Sequence, residues 1–112
     1  MPLYESIFIA RQDVPTTQVE ALSQTFTDIL TAQGGQVKKT EQWGLRNLAY
    51  RINKNKKGHY VLLNVEASPE AVAEMERNMK LNEDVLRYMT IRVEEHEEGP
   101  SAVLRKDERS ER

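Results

Sequence analysis

Six patterned stretches follow one another in the order β-α-β-β-α-β, and that order leaves few ways to build a fold. Residues 3–10 are short, apolar and β-branched, the pattern of a strand. Thr17 and Glu20 have capping-box spacing, and Val19, Leu22, Phe26, Ile29 and Leu30 then fall on one helical stripe. Gly34-Gly35 stops that helix, because glycine takes the left-handed position after a helix without penalty. Residues 36–52 and 58–67 read as two strands joined by a turn over 53–58. Ser68 caps a second helix that has Pro69 at its first position, runs to about residue 80 and turns Val72, Met75 and Met79 inward. Residues 81–84 turn, and 85–93 form the last strand.

Two β-α-β units with right-handed crossovers predict an α+β, ferredoxin-like fold. Its sheet is four-stranded and antiparallel, both helices lie on one face, and strands one and three are central. Residues 1–95 form this domain, and 96–112 read as a charged, disordered tail, since charge, Gly99-Pro100 and Ser replace the apolar pattern there. At 112 residues the chain is one domain, large enough to fold without staples.

Composition narrows the class. There is no cysteine, which excludes disulfides, thiolate metal sites and thiol nucleophiles. No apolar run approaches the roughly 20 residues that span a bilayer, and residues 1–5 carry no signal-peptide pattern, so a soluble, cytoplasmic protein without a membrane partner is expected. The net charge is −2, but it is unevenly spread. Residues 37–58 hold Lys38, Lys39, Arg46, Arg51, Lys54, Lys56 and Lys57 against Glu41 alone. One basic stretch on an otherwise acidic chain gives a directional field that can orient it on a polyanion.

Side-chain parity predicts the exposed side of the sheet. Glu66 avoids the core, so Tyr60, Leu62 and Asn64 share its face while Val61, Leu63 and Val65 meet the helices. Glu5 likewise puts Ile7 and Ile9 on the open face and Tyr4, Phe8 and Ala10 inside. A face showing Ile7, Ile9, Tyr60 and Leu62 is the kind of apolar surface that meets a partner. In the second strand Val37, Trp43 and Leu45 are odd-numbered whereas Leu48, Tyr50 and Ile52 are even, so a β-bulge is expected around residues 44–47.

Catalytic chemistry is not evident. The two histidines are His59, at a strand start, and His96, within an acidic run that lacks the fixed geometry of a metal site. There is no glycine-rich phosphate cradle and no nucleophile with a nearby base. No enzyme activity, cofactor, metal or small-molecule substrate is expected.

Three segments taken together closely resemble one known family. They are Trp43-Gly44-Leu45-Arg46-Asn47-Leu48-Ala49-Tyr50-Arg51-Ile52, then Lys57-Gly58-His59-Tyr60-Val61-Leu62-Leu63-Asn64, then Asn82-Glu83-Asp84-Val85-Leu86-Arg87-Tyr88-Met89-Thr90. In order and spacing, over about residues 1–95, they resemble the bacterial small-subunit ribosomal protein six family, and Tyr4-Glu5 fits as well. Arg51 departs from it, since many members have Pro after the Tyr. The tail has no evident counterpart.

The resemblance implies a structural role in the small ribosomal subunit. It also implies that the chain binds the central domain of 16S rRNA there as a heterodimer with ribosomal protein eighteen, alongside other small-subunit proteins. Arg46 and Tyr50 match the family motif and belong at the RNA or partner boundary. The charge pattern adds Lys38, Lys39, Arg51, Lys54, Lys56 and Lys57 as RNA-binding candidates, with Arg87 and Arg92 of the last strand. Ile7, Ile9, Trp43, Leu48, Tyr50, Tyr60, Leu62 and Tyr88 are the protein-partner candidates. The alternative is an RNA-recognition-motif-like binder of single-stranded RNA. That motif stacks bases on the central strands, but Phe8, His59 and Val61 are expected to point at the helices. An acylphosphatase-like hydrolase needs an anion cradle after the first strand, where Arg11-Gln12-Asp13-Val14-Pro15 has no glycine.

Overall fold

The computed structural model describes residues 1–52 and 54–96. Its elements are β1 (Leu3–Arg11), α1 (Thr16–Ala32), β2 (Gln36–Ile52), β3 (Asn55–Glu66), α2 (Pro69–Leu81) and β4 (Val85–Val93). The sheet runs β2-β3-β1-β4 and every neighbouring pair is antiparallel. Strands β1 and β3 are central, as the two β-α-β units require. The charged segment 97–112 lies outside the described residues. His96, placed at the start of that tail by its composition, is tied to the domain: its Nε2 lies 3.0 Å from the Tyr4 carbonyl.

The core fills the space between the sheet and both helices. Phe8, Ala10, Val61, Leu63 and Val65 meet Val19, Leu22, Phe26 and Leu30 of α1 and Ala71, Val72, Met75 and Met79 of α2. Phe8 and Phe26 are fully buried and meet edge to face, with ring centroids 5.2 Å apart. Ser6 shares this buried face, and its hydroxyl is satisfied by Thr90 at 2.9 Å.

The helix ends follow their local chemistry, with one correction. Thr17 does not cap α1. The helix begins at Thr16 behind Pro15, whose φ of −65° is already set for a helix start. The Pro15 carbonyl accepts from the Gln18 and Val19 amides, so Thr17 is already inside the first turn. At the other end Gly34 has φ +85°, its amide donates to Thr31, and the Gly35 amide donates to Leu30. This is the Schellman arrangement expected of Gly34-Gly35. A Cβ at Gly35 would sit 2.7 Å from that of Ala67, so this glycine also lets the chain pass close to β3's end. The Ser68 hydroxyl accepts from the Ala71 amide at 3.2 Å, capping α2 ahead of Pro69.

Strand β2 departs most from expectation. Pairing with β3 is regular from Gly44 to Asn47, where the bulge was expected. The register instead shifts on either side of that stretch: between Val37 and Lys39, between Gln42 and Gly44, and between Asn47 and Ile52. Lys38 and Trp43 are the extra residues of the first two shifts, and Gly44 takes a left-handed φ of +81°. Val37 therefore faces the core opposite Val65, and Leu45, opposite His59, lies on the helix side. Trp43 joins Leu48, Tyr50 and Ile52 on the open face. The turn between β2 and β3 is also tighter than the span 53–58. Strand β3 already begins at Asn55, leaving Lys54 (φ +69°) at the turn; Asn53 lies outside the described residues.

Candidate nucleic-acid and partner interface

The sheet face opposite the helices has the expected parity but not the expected exposure. Ile9 and Leu62 point there yet are 8% and 5% exposed. The β2–β3 hairpin is the reason: Leu48, Tyr50 and Ile52 border the same hollow as Ile9 and Tyr60. Leu62 is flanked across the ladder by Glu41. The apolar surface left open lies further out, at Tyr50 (71% exposed), Met89 (55%) and Ile91 (48%). Sequence reasoning missed Met89 and Ile91. Their signal was the alternation Arg87-Met89-Ile91, which the register aligns with Ile9, Ile7 and Glu5. Tyr88 pairs with inward-facing Phe8 and packs against the core beneath the helices, while also bordering the hollow on the open face. A hollow of about 180 Å³ is lined by Ile7, Ile9, Trp43, Tyr60 and Met89 together with Arg87 and Tyr88.

Beside this hollow β2 carries a row of linked side chains. Glu41 is only 7% exposed. Its carboxylate accepts from the Trp43 indole N–H at 2.9 Å and pairs with the Lys39 ammonium at 3.3 Å. Trp43 stacks on Tyr60, with centroids 6.3 Å apart and planes 14° from parallel. The Arg46 Nε donates to the Trp43 carbonyl at 3.2 Å, and its guanidinium lies 6.0 Å from the indole centroid. Lys39 and Arg46 are thus part of a built structure, with the Lys39 charge offset by Glu41.

The remaining candidate cations divide by position. Arg51, Lys54, Lys56 and Lys57 are exposed together on the hairpin. Lys38 is exposed on its bulge near the start of β2, and Arg87 is exposed on the open face opposite Ile9. Arg92 pairs with Tyr4 on the helix side, at the end of the sheet away from the hairpin, so the fold does not bring it to this group.

Gln12, in the loop after β1, holds the hairpin in place. Its side-chain oxygen accepts from the Lys56 and Lys57 amides at 3.2 and 3.1 Å, and its own amide donates to Asn55 Oδ1 at 3.1 Å. Polar loop residues rarely announce such a role in sequence. Gln12→Ala is expected to leave the melting temperature within a few degrees, while amide hydrogen exchange at Lys56 and Lys57 speeds up. Unchanged exchange at both amides would remove Gln12 from this role.

No group of three or more potential metal ligands occurs among the described residues. Among the described residues, the perturbed ion pair stands apart from the site: on α2, hydrogen bonds from Arg77 hold the Glu74 carboxyl below its usual range and raise the guanidinium correspondingly. No described helix is long and apolar enough to cross a membrane.

Comparison with known proteins gives these features a context. The family model described as ribosomal protein S6 matches residues 3–92. The small ribosomal subunit protein bS6 of Paramagnetospirillum magneticum is 61% identical over 112 residues, all of this chain and 78% of that protein. That of Rhodospirillum centenum is 63% identical over 113 residues, all of this chain and 69% of the relative. Both alignments run past residue 95, so the tail does have a counterpart in these relatives. The crystal structure of 30S ribosomal protein S6 from Thermotoga maritima superposes with a TM-score of 0.77 at 25% identity, covering 99% of this chain and 98% of that one. The C-terminal domain of the Mycobacterium tuberculosis MgtC protein shares the fold alone (TM-score 0.50, 14% identity, covering 88% of this chain and 95% of that one). On the extent of the family match and of the whole-chain relatives, the chain belongs to the ribosomal protein S6 family, as a cytoplasmic structural protein of the small ribosomal subunit and not an enzyme.

Proposed function

We propose that the chain binds the central domain of 16S rRNA as a heterodimer with ribosomal protein eighteen. The observation that carries this reading is that two unlike surfaces share one sheet. Exposed Tyr50, Met89 and Ile91 lie on the open face of the sheet that also carries the cationic hairpin of Arg51, Lys54, Lys56 and Lys57. RNA affinity grows with the number of phosphates neutralised, and a chain of net charge −2 with one basic hairpin supplies few. A more basic partner seated on the open face provides the rest. Within this scheme Ile7, Leu48, Tyr50 and Tyr60 border the partner, Ile9 and Leu62 support that surface from beneath, and Trp43, Arg46, Lys38 and Arg87 flank it. Binding to a central-domain rRNA fragment, with and without ribosomal protein eighteen at two salt concentrations, tests it. Tight, salt-sensitive binding only with the partner is expected. Equal binding without it would locate recognition in this chain alone.

A further inference from the structure

Trp43 is the single tryptophan of the chain, and core packing makes no use of it. It stands half-buried on the open face as the extra residue of a bulge, held by Glu41, by Tyr60 and by Arg46. Next to it lies an open groove of about 560 Å³, lined by Trp43, Leu45, Arg46, Asn47, Lys57 and Tyr60. Sites for small ligands run to roughly 300–1,000 Å³. The groove differs in chemistry from the apolar hollow on the Ile7 side. It brings together two aromatic rings, a guanidinium, an ammonium and a carboxamide. Aromatic and guanidinium planes take unstacked bases, cations take phosphate, and an amide reads a base edge.

We infer that this groove binds one unpaired nucleotide of an RNA strand, its base against the Trp43 ring and its phosphate at Lys57 and Arg46. The inference rests on the RNA-binding reading above and goes further, naming where a base is held and by what. It is distinct from stacking on the central strands, where Phe8 and Val61 are fully buried. Glu41 acts as a positioning residue, fixing the indole through its N–H.

The sole tryptophan makes the site directly readable. The full chain is titrated with an oligouridylate of about ten nucleotides, within the usual span of single-strand sites, and with an abasic oligonucleotide of equal length. Anisotropy of labelled oligonucleotide shows when each is bound. The base-bearing strand is expected to quench Trp43 emission and the abasic strand to leave it unchanged. Trp43→Leu is expected to lower affinity for the oligouridylate roughly tenfold with an unaltered salt slope, because stacking releases no counterions. Trp43→Phe, which keeps a ring, recovers most of that loss, and melting curves check that both variants fold. Equal quenching by the abasic strand, or bound oligouridylate without quenching, overturns the inference while RNA binding stands. Emission that responds to ribosomal protein eighteen and not to RNA assigns the groove to protein and overturns it too. Absence of binding to the rRNA fragment, even with ribosomal protein eighteen present, overturns both this and the reading beneath it.

Discussion

Lys54, Lys56 and Lys57 changed together to Glu are expected to lower affinity for the central-domain fragment at least roughly a hundredfold at low salt, with the log–log salt slope falling by about two to three. Each reversal removes a cation able to displace counterions and adds a charge that the phosphates repel. The fold has little reason to object. All three side chains are exposed, and the strand is held through backbone amides that the substitutions leave in place. Lys54 already sits at φ +69°, and Glu is no more strained there than Lys. The melting temperature should therefore move by only a few degrees. Lys80→Glu, on exposed α2 surface of the helix layer, controls for a charge reversal placed away from the hairpin and should leave binding nearly unchanged. Normal assembly of the triple variant at moderate salt would remove the hairpin from the RNA interface.

Such a prediction rests on features unequally visible in the sequence. Element order, strand order and the two faces of β1 and β3 were legible because Glu5 and Glu66 each fix a parity, and a period of two then dictates the rest. Ser68-Pro69 and Gly34-Gly35 were legible because a cap and a left-handed stop are local events. Edge strand β2 was not. Its register depends on which hydrogen bonds β3 offers and shifts three times, and the extra residue Lys38 puts Val37 and Trp43 on opposite faces although both are odd-numbered. Thr17 misled because Pro15 can start a helix without a side-chain cap. Exposure was the harder part of the site. Parity places Ile9 and Leu62 on the open face, but only the course of the hairpin reveals that they are covered. Tyr88 and Met89 differ by one residue, and the β1–β4 register alone decides which faces out.

The two-faced sheet leads to the other large expected effect. Phe26→Ala should cost about 3–5 kcal/mol in chemical denaturation, because it empties a fully buried site and strands the edge contact with Phe8. That is a large share of the roughly 5–15 kcal/mol that holds a domain of this size together. Its effect on binding should be small once the folded fraction is taken into account, since Phe26 lies under the helices while Tyr50, Met89 and Ile91 lie on the opposite face of the sheet. Tyr50→Ala should do the reverse. A side chain 71% exposed contributes little to folding, but a tyrosine seated in a partner interface is the kind of residue whose truncation costs about 2 kcal/mol or more of affinity. Titration of ribosomal protein eighteen against both variants, beside their denaturation curves, separates the two effects. Loss of affinity in Phe26→Ala beyond its unfolded fraction would mean that the sheet transmits core packing to its open face. Unchanged affinity in Tyr50→Ala would move the partner off this exposed residue.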